Sequence, residues 1–265
     1  MKQTWRRADV GYAAMDRDAE ARELNRILEV YRQRQRTVPA NRDSLVEPGV
    51  LFIYQQRCRA ILKALAAQKV LPLADKRILD VGCGSGQSLI DFESWGARRE
   101  NLAGIDLLEA NVRLARVRLC SSGRAADIRT GNAGNLPWPD RTFDIVNQST
   151  MFTSILDNPL RRSVAREMVR VTRGGGMILW YDLRVNNPRN PDVRRVGAAE
   201  IRTLFPQCHV RLLPITLAPP LVHRIVPHSW TLALLLEKLR LFNSHYLALI
   251  RVPGGIAAAS EATDS

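Results

Sequence analysis

The chain has 265 residues, of which 46% are hydrophobic, and a formal net charge of +13. This composition excludes a wholly disordered chain, and no apolar run reaches the ~18 residues that a membrane-spanning helix needs. The four cysteines form no CxxC pair, so we expect a cytoplasmic protein with neither a zinc site nor a disulfide framework.

The first part of the chain has the pattern of helices. Apolar residues recur at helical spacing, among many charges, over residues 14–36 and again over residues 51–69. We therefore predict two helices there. We assign residues 1–75 to an N-terminal helical extension, which precedes a main domain over residues 76–253.

In the main domain, short apolar strands alternate with helices. This alternation predicts a parallel sheet with right-handed crossovers. The last two strands are separated by an apolar, partly helical insert over residues 217–243, and residues 254–265 form a small, polar tail that we expect to be disordered. The predicted strands cover residues 77–81, 102–106, 126–130, 142–147, 177–181, 210–216 and 245–252.

The most informative motif is a glycine-rich loop that follows the first strand and precedes a helix. It reads Ile78-Leu79-Asp80-Val81-Gly82-Cys83-Gly84-Ser85-Gly86-Gln87. Glycines allow a ligand to approach the backbone closely, and the amides at the start of a helix favour a carboxylate or phosphate. A dinucleotide site has the spacing G-x-G-x-x-G, whereas this loop has G-x-G-x-G. The carboxylate of Asp80 would repel a pyrophosphate but would suit an ammonium group, which argues against a nicotinamide-dependent enzyme.

This segment resembles motif I of the class I S-adenosylmethionine-dependent methyltransferases. The resemblance follows the order of elements over residues 77–252. It implies an α/β, Rossmann-like, seven-stranded sheet of order 3-2-1-4-5-7-6, with strand 7 antiparallel and the insert between strands 6 and 7. It also implies S-adenosylmethionine as the cofactor and methyl donor, with no need for a metal.

The resemblance assigns individual residues to the donor. It implies that Asp80 holds the methionine amino group, that Asp106 accepts hydrogen bonds from the ribose hydroxyls, and that Leu107 packs on the adenine. Asn132 stands where many members carry aspartate, and its amide oxygen can still accept from the adenine amino group. Two alternatives stay open, since Asp106 could cap the next helix and Asn132 could be a turn residue. The complete donor set is Asp80, Gly82, Cys83, Gly84, Gly86, Asp106, Leu107, Asn132, Ala133 and Gln148.

The acceptor is expected beyond the carboxyl ends of the strands. Tyr181 directly follows an apolar strand, and the loop after it carries Arg184, Asn187 and Arg189. Guanidinium groups suit phosphate and carboxylate, so we predict that these four residues bind an anionic or hydroxyl-rich acceptor. The alternative is an ordinary surface loop. The same two possibilities apply to the wider window 161–211, where 11 arginines and 4 acids leave a surplus of +7.

A hydroxyl nucleophile would need a base. Asp182, beside Tyr181, is the first candidate, and His223 in the insert is the second. The insert is apolar on several faces, so these faces must be covered by a partner, by an apolar ligand or by the insert's own core.

The sequence therefore predicts an S-adenosylmethionine-dependent methyltransferase that acts on a small molecule, by O-methylation of a sugar or secondary metabolite. Three alternatives are an RNA methyltransferase, a methyltransferase with a lipid-like or isoprenoid acceptor, and a non-catalytic donor-binding protein. The N-terminal helices lack the basic and aromatic composition of a nucleic-acid surface, so we expect no nucleic-acid partner. The sequence does not indicate an oligomeric state.

Overall fold

Two helices precede the sheet in the computed structural model. Helix α1 covers Arg17–Thr37, and the start that the sequence predicts for it, residues 14–16, lies outside the described residues. Helix α2 covers Pro48–Ala67, and its first turn is capped by the Glu47 carboxylate, which accepts a hydrogen bond of 2.8 Å from the Val50 amide. The structure describes residues 17–39, 44–121, 124–187 and 190–254.

Seven strands form one mixed sheet. They are β1 (Ile78–Val81), β2 (Leu102–Asp106), β3 (Asp127–Thr130), β4 (Phe143–Ser149), β5 (Thr172–Leu183), β6 (His209–Leu217) and β7 (Asn243–Arg251). Their order in the sheet is β3-β2-β1-β4-β5-β7-β6. Strand β7 runs antiparallel to both of its neighbours, and the other pairs are parallel. The predicted order and the direction of the last strand are therefore confirmed.

Helices connect these strands and cover the sheet. They are α3 (Gln87–Ser94), α4 (Glu109–Arg118), α5 (Asn158–Val171), α6 (Ala198–Leu204), α7 (Pro219–Ile225) and α8 (Trp230–Leu239). Short 3₁₀ turns occur at Arg99–Asn101 and Phe152–Ser154, and a two-stranded ladder pairs Cys120–Ser121 with Arg124–Ala125.

The central strands are buried on both faces. In β5, Ile178 and Trp180 belong to one apolar cluster, and Met177 and Leu179 belong to another. Successive side chains of a strand point to opposite faces, so the two clusters are the layers between the sheet and the helices on either side of it. Burial on both faces explains why these strands are almost continuously apolar in sequence.

The insert has a small core of its own. Leu217, Val222, Val226 and Ala233 form a third buried cluster together with Phe52 of α2. In the described part of the chain, no helix combines the length and the apolar character that crossing a bilayer requires.

Candidate functional site

The loop after β1 turns sharply toward the end of β2. The amides of Gly82 and Cys83 donate hydrogen bonds of 2.8 and 2.9 Å to the carbonyl of Ile105. Gly82 and Gly84 have φ angles of +73° and +53°, a left-handed conformation that side chains with a Cβ rarely adopt. The glycines therefore permit both the turn and an open approach to the backbone.

This loop forms one wall of a cavity of about 370 Å³ at the carboxyl ends of β1, β2 and β4. Helix α1 contributes Leu24, Ile27 and Tyr31 to the cavity wall, and α2 contributes Arg57. Of the ten residues assigned to the donor from the sequence, eight line this cavity. They are Asp80, Gly82, Cys83, Gly84, Asp106, Leu107, Asn132 and Ala133.

The other two residues that the sequence assigned to the donor, Gly86 and Gln148, lie beside the cavity rather than in its wall. A Cβ at Gly86 would meet the Leu119 side chain at 3.0 Å, so this glycine permits close helix packing. Gln148 is fully buried, and its side-chain oxygen accepts a hydrogen bond of 3.1 Å from the amide of Met151. Met151 lines the cavity, so Gln148 supports the cavity wall from behind.

Asp106 organises the loop. One carboxylate oxygen accepts a hydrogen bond of 2.9 Å from the Gly84 amide, and the other accepts from the amide of Leu108 and the side chain of Asn111. Asp106 therefore holds the turn before α4 and also lines the cavity. It does not cap the helix, because the N-cap residue of α4 is Leu108 and no side chain caps the first turn.

Asp80 is a buried carboxylate at the end of β1. It accepts a hydrogen bond of 2.7 Å from the side-chain amide of Asn147. Burial raises the pKa of Asp80 to about 7, and the hydrogen bond from Asn147 opposes this rise only in part. A cation placed next to Asp80 would compensate for the lost hydration of the carboxylate.

Asn132 is held by two contacts. Its side-chain oxygen accepts a hydrogen bond of 2.8 Å from the Gly134 amide, as in a turn, and its nitrogen donates one of 2.6 Å to Glu20 of α1. The oxygen that could accept from an adenine is thus already bonded to the turn. Asn132 joins the cavity wall to α1.

The predicted acceptor residue Tyr181 lies outside this cavity. Its ring is buried and stacks on His245 with a centroid distance of 4.6 Å, and its hydroxyl lies 2.9 Å from that of Thr216. Tyr181 instead lines a second cavity, of about 10 Å³. Arg57 and Ser149 line both cavities.

The two candidate bases also lie apart from the cavity. Asp182 is buried and accepts hydrogen bonds from the amides of Thr153 and Leu183, at 3.2 and 2.8 Å. Burial raises the pKa of Asp182 to about 6. His223 is half exposed and lies 3.3 Å from the carboxylate of Glu47.

The arginine-rich loop after β5 does not reach the cavity with its described residues. The Arg184 guanidinium lies over the ring of Tyr246 at 5.3 Å, Asn187 is exposed, and Arg189 lies outside the described residues. Other arginines of the window 161–211 are bound within the fold. Arg161, for example, is buried and bonds Glu200 at 2.6 Å.

The sequence interpretation missed Arg57. This residue lines both cavities, and its guanidinium lies 5.7 Å from the ring of Tyr54, 5.6 Å from that of Tyr181 and 3.8 Å from the carboxylate of Asp91. Asp91 already accepts a shorter hydrogen bond, of 2.6 Å, from Tyr54. No motif in α2 marks Arg57, and only the packing of α2 against the sheet reveals it.

No group of three or more histidine, cysteine, aspartate or glutamate side chains within the described ranges has a geometry that could hold a metal ion.

Comparisons with known proteins agree with motif I. Residues 78–176 match a family model described as a methyltransferase domain. Over 136 residues the chain is 31% identical to the ubiquinone biosynthesis O-methyltransferase of Nitrosomonas europaea, a match that covers 51% of this chain and 55% of that protein. The chain thus spans about half the length of this relative.

Two further similarities broaden the comparison. The chain is 35% identical over 115 residues to the phthiotriol/phenolphthiotriol dimycocerosates methyltransferase of Mycobacterium tuberculosis, with 43% of this chain and 40% of that protein covered. The structure of Haemonchus contortus phosphoethanolamine N-methyltransferase 1, in complex with phosphoethanolamine and S-adenosylhomocysteine, has a TM-score of 0.59 and 15% identity. That match covers 91% of this chain and 51% of that one. The match to a methyltransferase domain confirms the predicted resemblance over residues 78–176, and the similarity to the Haemonchus contortus structure shows that the fold is shared.

Proposed function

We propose that this chain, which contains a class I methyltransferase domain, transfers a methyl group from S-adenosylmethionine to a small-molecule acceptor. The observation that supports this most strongly is the cavity in which the motif I loop, Asp80 and Asp106 meet. Its volume of about 370 Å³ lies in the range of small-ligand sites, roughly 300–1,000 Å³.

In the proposed reaction, a nucleophilic atom of the acceptor attacks the sulfonium methyl group in line with the breaking carbon–sulfur bond. The electron pair of that bond moves to sulfur, and S-adenosylhomocysteine leaves. A hydroxyl acceptor loses its proton to a base or to water. Because the donor is already activated, the protein contributes chiefly by aligning the two reactants.

The donor roles proposed for the cavity residues agree with their positions. Asp80 would pair with the methionine ammonium group, Asp106 would accept from the ribose hydroxyls, and Leu107 would pack on the adenine. The separate position of Asp182 favours a positioning role, in which its carboxylate holds the amide of Thr153 in the turn after β4.

For the acceptor, we propose O-methylation of a hydroxyl on a molecule with an apolar part. Leu24 and Ile27 of α1 make part of the cavity wall apolar, whereas Arg184 stacks on Tyr246 instead of lining the cavity. The relatives named for ubiquinone biosynthesis and for phthiotriol dimycocerosates support a lipid-like acceptor over a sugar.

The proposal is tested by incubating the purified chain with methyl-labelled S-adenosylmethionine and three acceptors, namely a prenylated catechol, a nucleotide-linked sugar and an RNA transcript. We expect labelled product from the catechol and matching release of S-adenosylhomocysteine. Labelling of the RNA alone would refute a small-molecule acceptor. Tight donor binding without turnover of any broader acceptor panel would indicate a donor-binding protein.

We also propose that Arg57 binds the carboxylate of the donor's methionine part. Its guanidinium has only the 3.8 Å contact with Asp91 as an ion pair among the described residues, and it lines the cavity near Asp80. Arg57→Met should weaken S-adenosylmethionine binding about tenfold or more, the effect of losing a hydrogen bond to a charged group. Calorimetry measures the donor affinity. The control is Arg59→Met on the same helix, where the arginine is exposed. Equal affinities in both variants would remove the assignment.

The raised pKa of Asp80 predicts pH-dependent donor binding. The pKa of an aspartate in an unfolded chain is about 4, and burial raises the pKa of folded Asp80 to about 7. Between these values the folded protein therefore keeps a proton that the unfolded chain has lost. Because of Asp80, the free energy of unfolding therefore decreases as the pH rises through this window. A bound ammonium group favours the carboxylate, so donor affinity should fall below pH 7 by at most about tenfold per pH unit.

Calorimetric titrations with S-adenosylmethionine between pH 5 and 8, in the approximate range where the aspartate changes charge, measure this effect. Asp80→Asn should bind the donor weakly and lose this dependence, while Asp182→Asn should retain it. An unchanged pH profile in Asp80→Asn would assign the titration to another group.

A further inference from the structure

The insert exposes apolar side chains on one side of α8. Leu232, Leu235 and Leu239 follow one another at helical spacing, and Leu241 and Phe242 come after Arg240, the C-cap residue of the helix. We call these five residues the insert face, and each is between 46% and 74% exposed. The opposite side of α8 carries buried Ala233 and packs on the insert's own core. Large side chains exposed together in this way are typical of interaction surfaces.

The exposed charged side chains of the insert are positive. Arg224, Lys238 and Arg240 are exposed. The only acid in residues 219–242 is Glu237, and its carboxylate accepts a hydrogen bond of 3.0 Å from the amide of Thr216. The insert therefore presents apolar side chains and cations together to the solvent, within a chain of net charge +13.

The insert lies at the same edge of the sheet as the cavity. Helices α7 and α8 connect the end of β6 to the start of β7, and β6 runs in the same direction as β5 because both are antiparallel to β7. The insert thus follows the carboxyl edge, where the cavity lies. Trp230 of α8 also packs edge-on against Phe52 of α2 at 5.2 Å, and α2 carries Arg57.

We propose that the insert face docks on an anionic lipid membrane surface. Leucine and phenylalanine side chains enter the boundary between headgroups and acyl chains, while neighbouring Lys and Arg side chains are attracted to anionic lipids. Charge complementarity favours this occupant over a second copy of the chain. A two-fold contact would bring the same patch of both copies together, and Lys238 and Arg240 would then face like charges. This inference does not depend on the methyl-transfer proposal.

Vesicle flotation with the full chain tests the proposal. We expect binding to vesicles that contain phosphatidylglycerol, weaker binding to pure phosphatidylcholine, and partial release by salt. The double variant Leu235→Glu/Leu239→Glu should lower the lipid partition coefficient about tenfold or more, since two apolar anchors are lost and two negative charges are added.

The matched control is Leu114→Glu/Val117→Glu on α4, where both side chains are also exposed. It adds the same charge at another surface and should reduce binding much less. Calorimetry with S-adenosylmethionine and thermal unfolding report whether each variant remains folded, whatever the fate of lipid binding. A milder pair, Leu235→Asn/Leu239→Asn, should reduce lipid binding in the same direction without new charges.

Three results would overturn the proposal. The first is that the unmodified chain fails to float with phosphatidylglycerol vesicles. The second is an equal loss of binding in the α4 control. The third is a concentration-dependent dimer in sedimentation velocity that Leu235→Glu/Leu239→Glu dissociates, which would assign the face to a second copy.

Discussion

Replacing Gly84 by valine is expected to abolish donor binding. A Cβ built at Gly84 has no heavy atom within 4 Å, and the residue lines the cavity. The valine methyl groups would therefore occupy the space proposed for S-adenosylmethionine. The φ of +53° adds backbone strain, of the order of 1–3 kcal/mol. Titration calorimetry with S-adenosylmethionine should give no measurable heat of binding.

Gly96→Val is the control that separates the effect of backbone strain from the effect of obstructing the donor space. Gly96 also has a left-handed φ, of +97°, and open space at its Cβ, but it lies outside the cavity wall. Both variants should lose thermal stability, and only Gly84→Val should lose the donor. If the two variants bind the donor equally well, the loop has a structural role alone.

Asp106→Ala is expected to weaken donor binding by about 1–3 kcal/mol, the typical effect of losing hydrogen bonds to a charged group. Asp106 also accepts from the amides of Gly84 and Leu108, so the variant should unfold at a lower temperature as well. Asp106→Asn keeps the shape and one oxygen acceptor, and its loss of affinity should be smaller. Calorimetry on the folded variants measures the donor affinity. Full affinity in Asp106→Ala would contradict the assignment of this residue to the donor site.

The central strands could be predicted because they carry a local pattern that burial requires. Residues 77–81 and 102–106 are mostly apolar, and the corresponding strands β1 and β2 are buried throughout. Strand β5 was predicted over residues 177–181 but extends over Thr172–Leu183. Its first residues include three glycines, which propensity does not place in a strand. The register with β4 shifts between Thr172 and Met177, and the glycine backbone bonds instead to Val252, just after β7.

The cavity residues that we propose to bind the donor could also be identified from the sequence. Asp80 and Gly84 are neighbours along the chain, so a short motif is enough to bring them together. Asp106 follows because it ends the strand that pairs directly with β1. The motif and the parallel order of strands thus determine the positions of these residues before any packing of helices is known.

The residues that bind the acceptor could not be predicted in this way, because composition does not determine where a side chain points. Arg184 and His223 had suitable chemistry, but one stacks on Tyr246 and the other lies beside Glu47. Asp182 follows an apolar strand as a catalytic residue could, yet its buried carboxylate holds the amide of Thr153.

By itself, the sequence determined the order of elements, the glycine-rich loop and the acids at the ends of β1 and β2, since all of these depend on local patterns. Only the tertiary structure brought Leu24, Ile27 and Arg57 into the cavity wall. The helical spacing in α1 and α2 identifies an apolar face but not what that face covers. The docking of these helices depends on the summed burial of many side chains distant in sequence, so it cannot be read from any short segment.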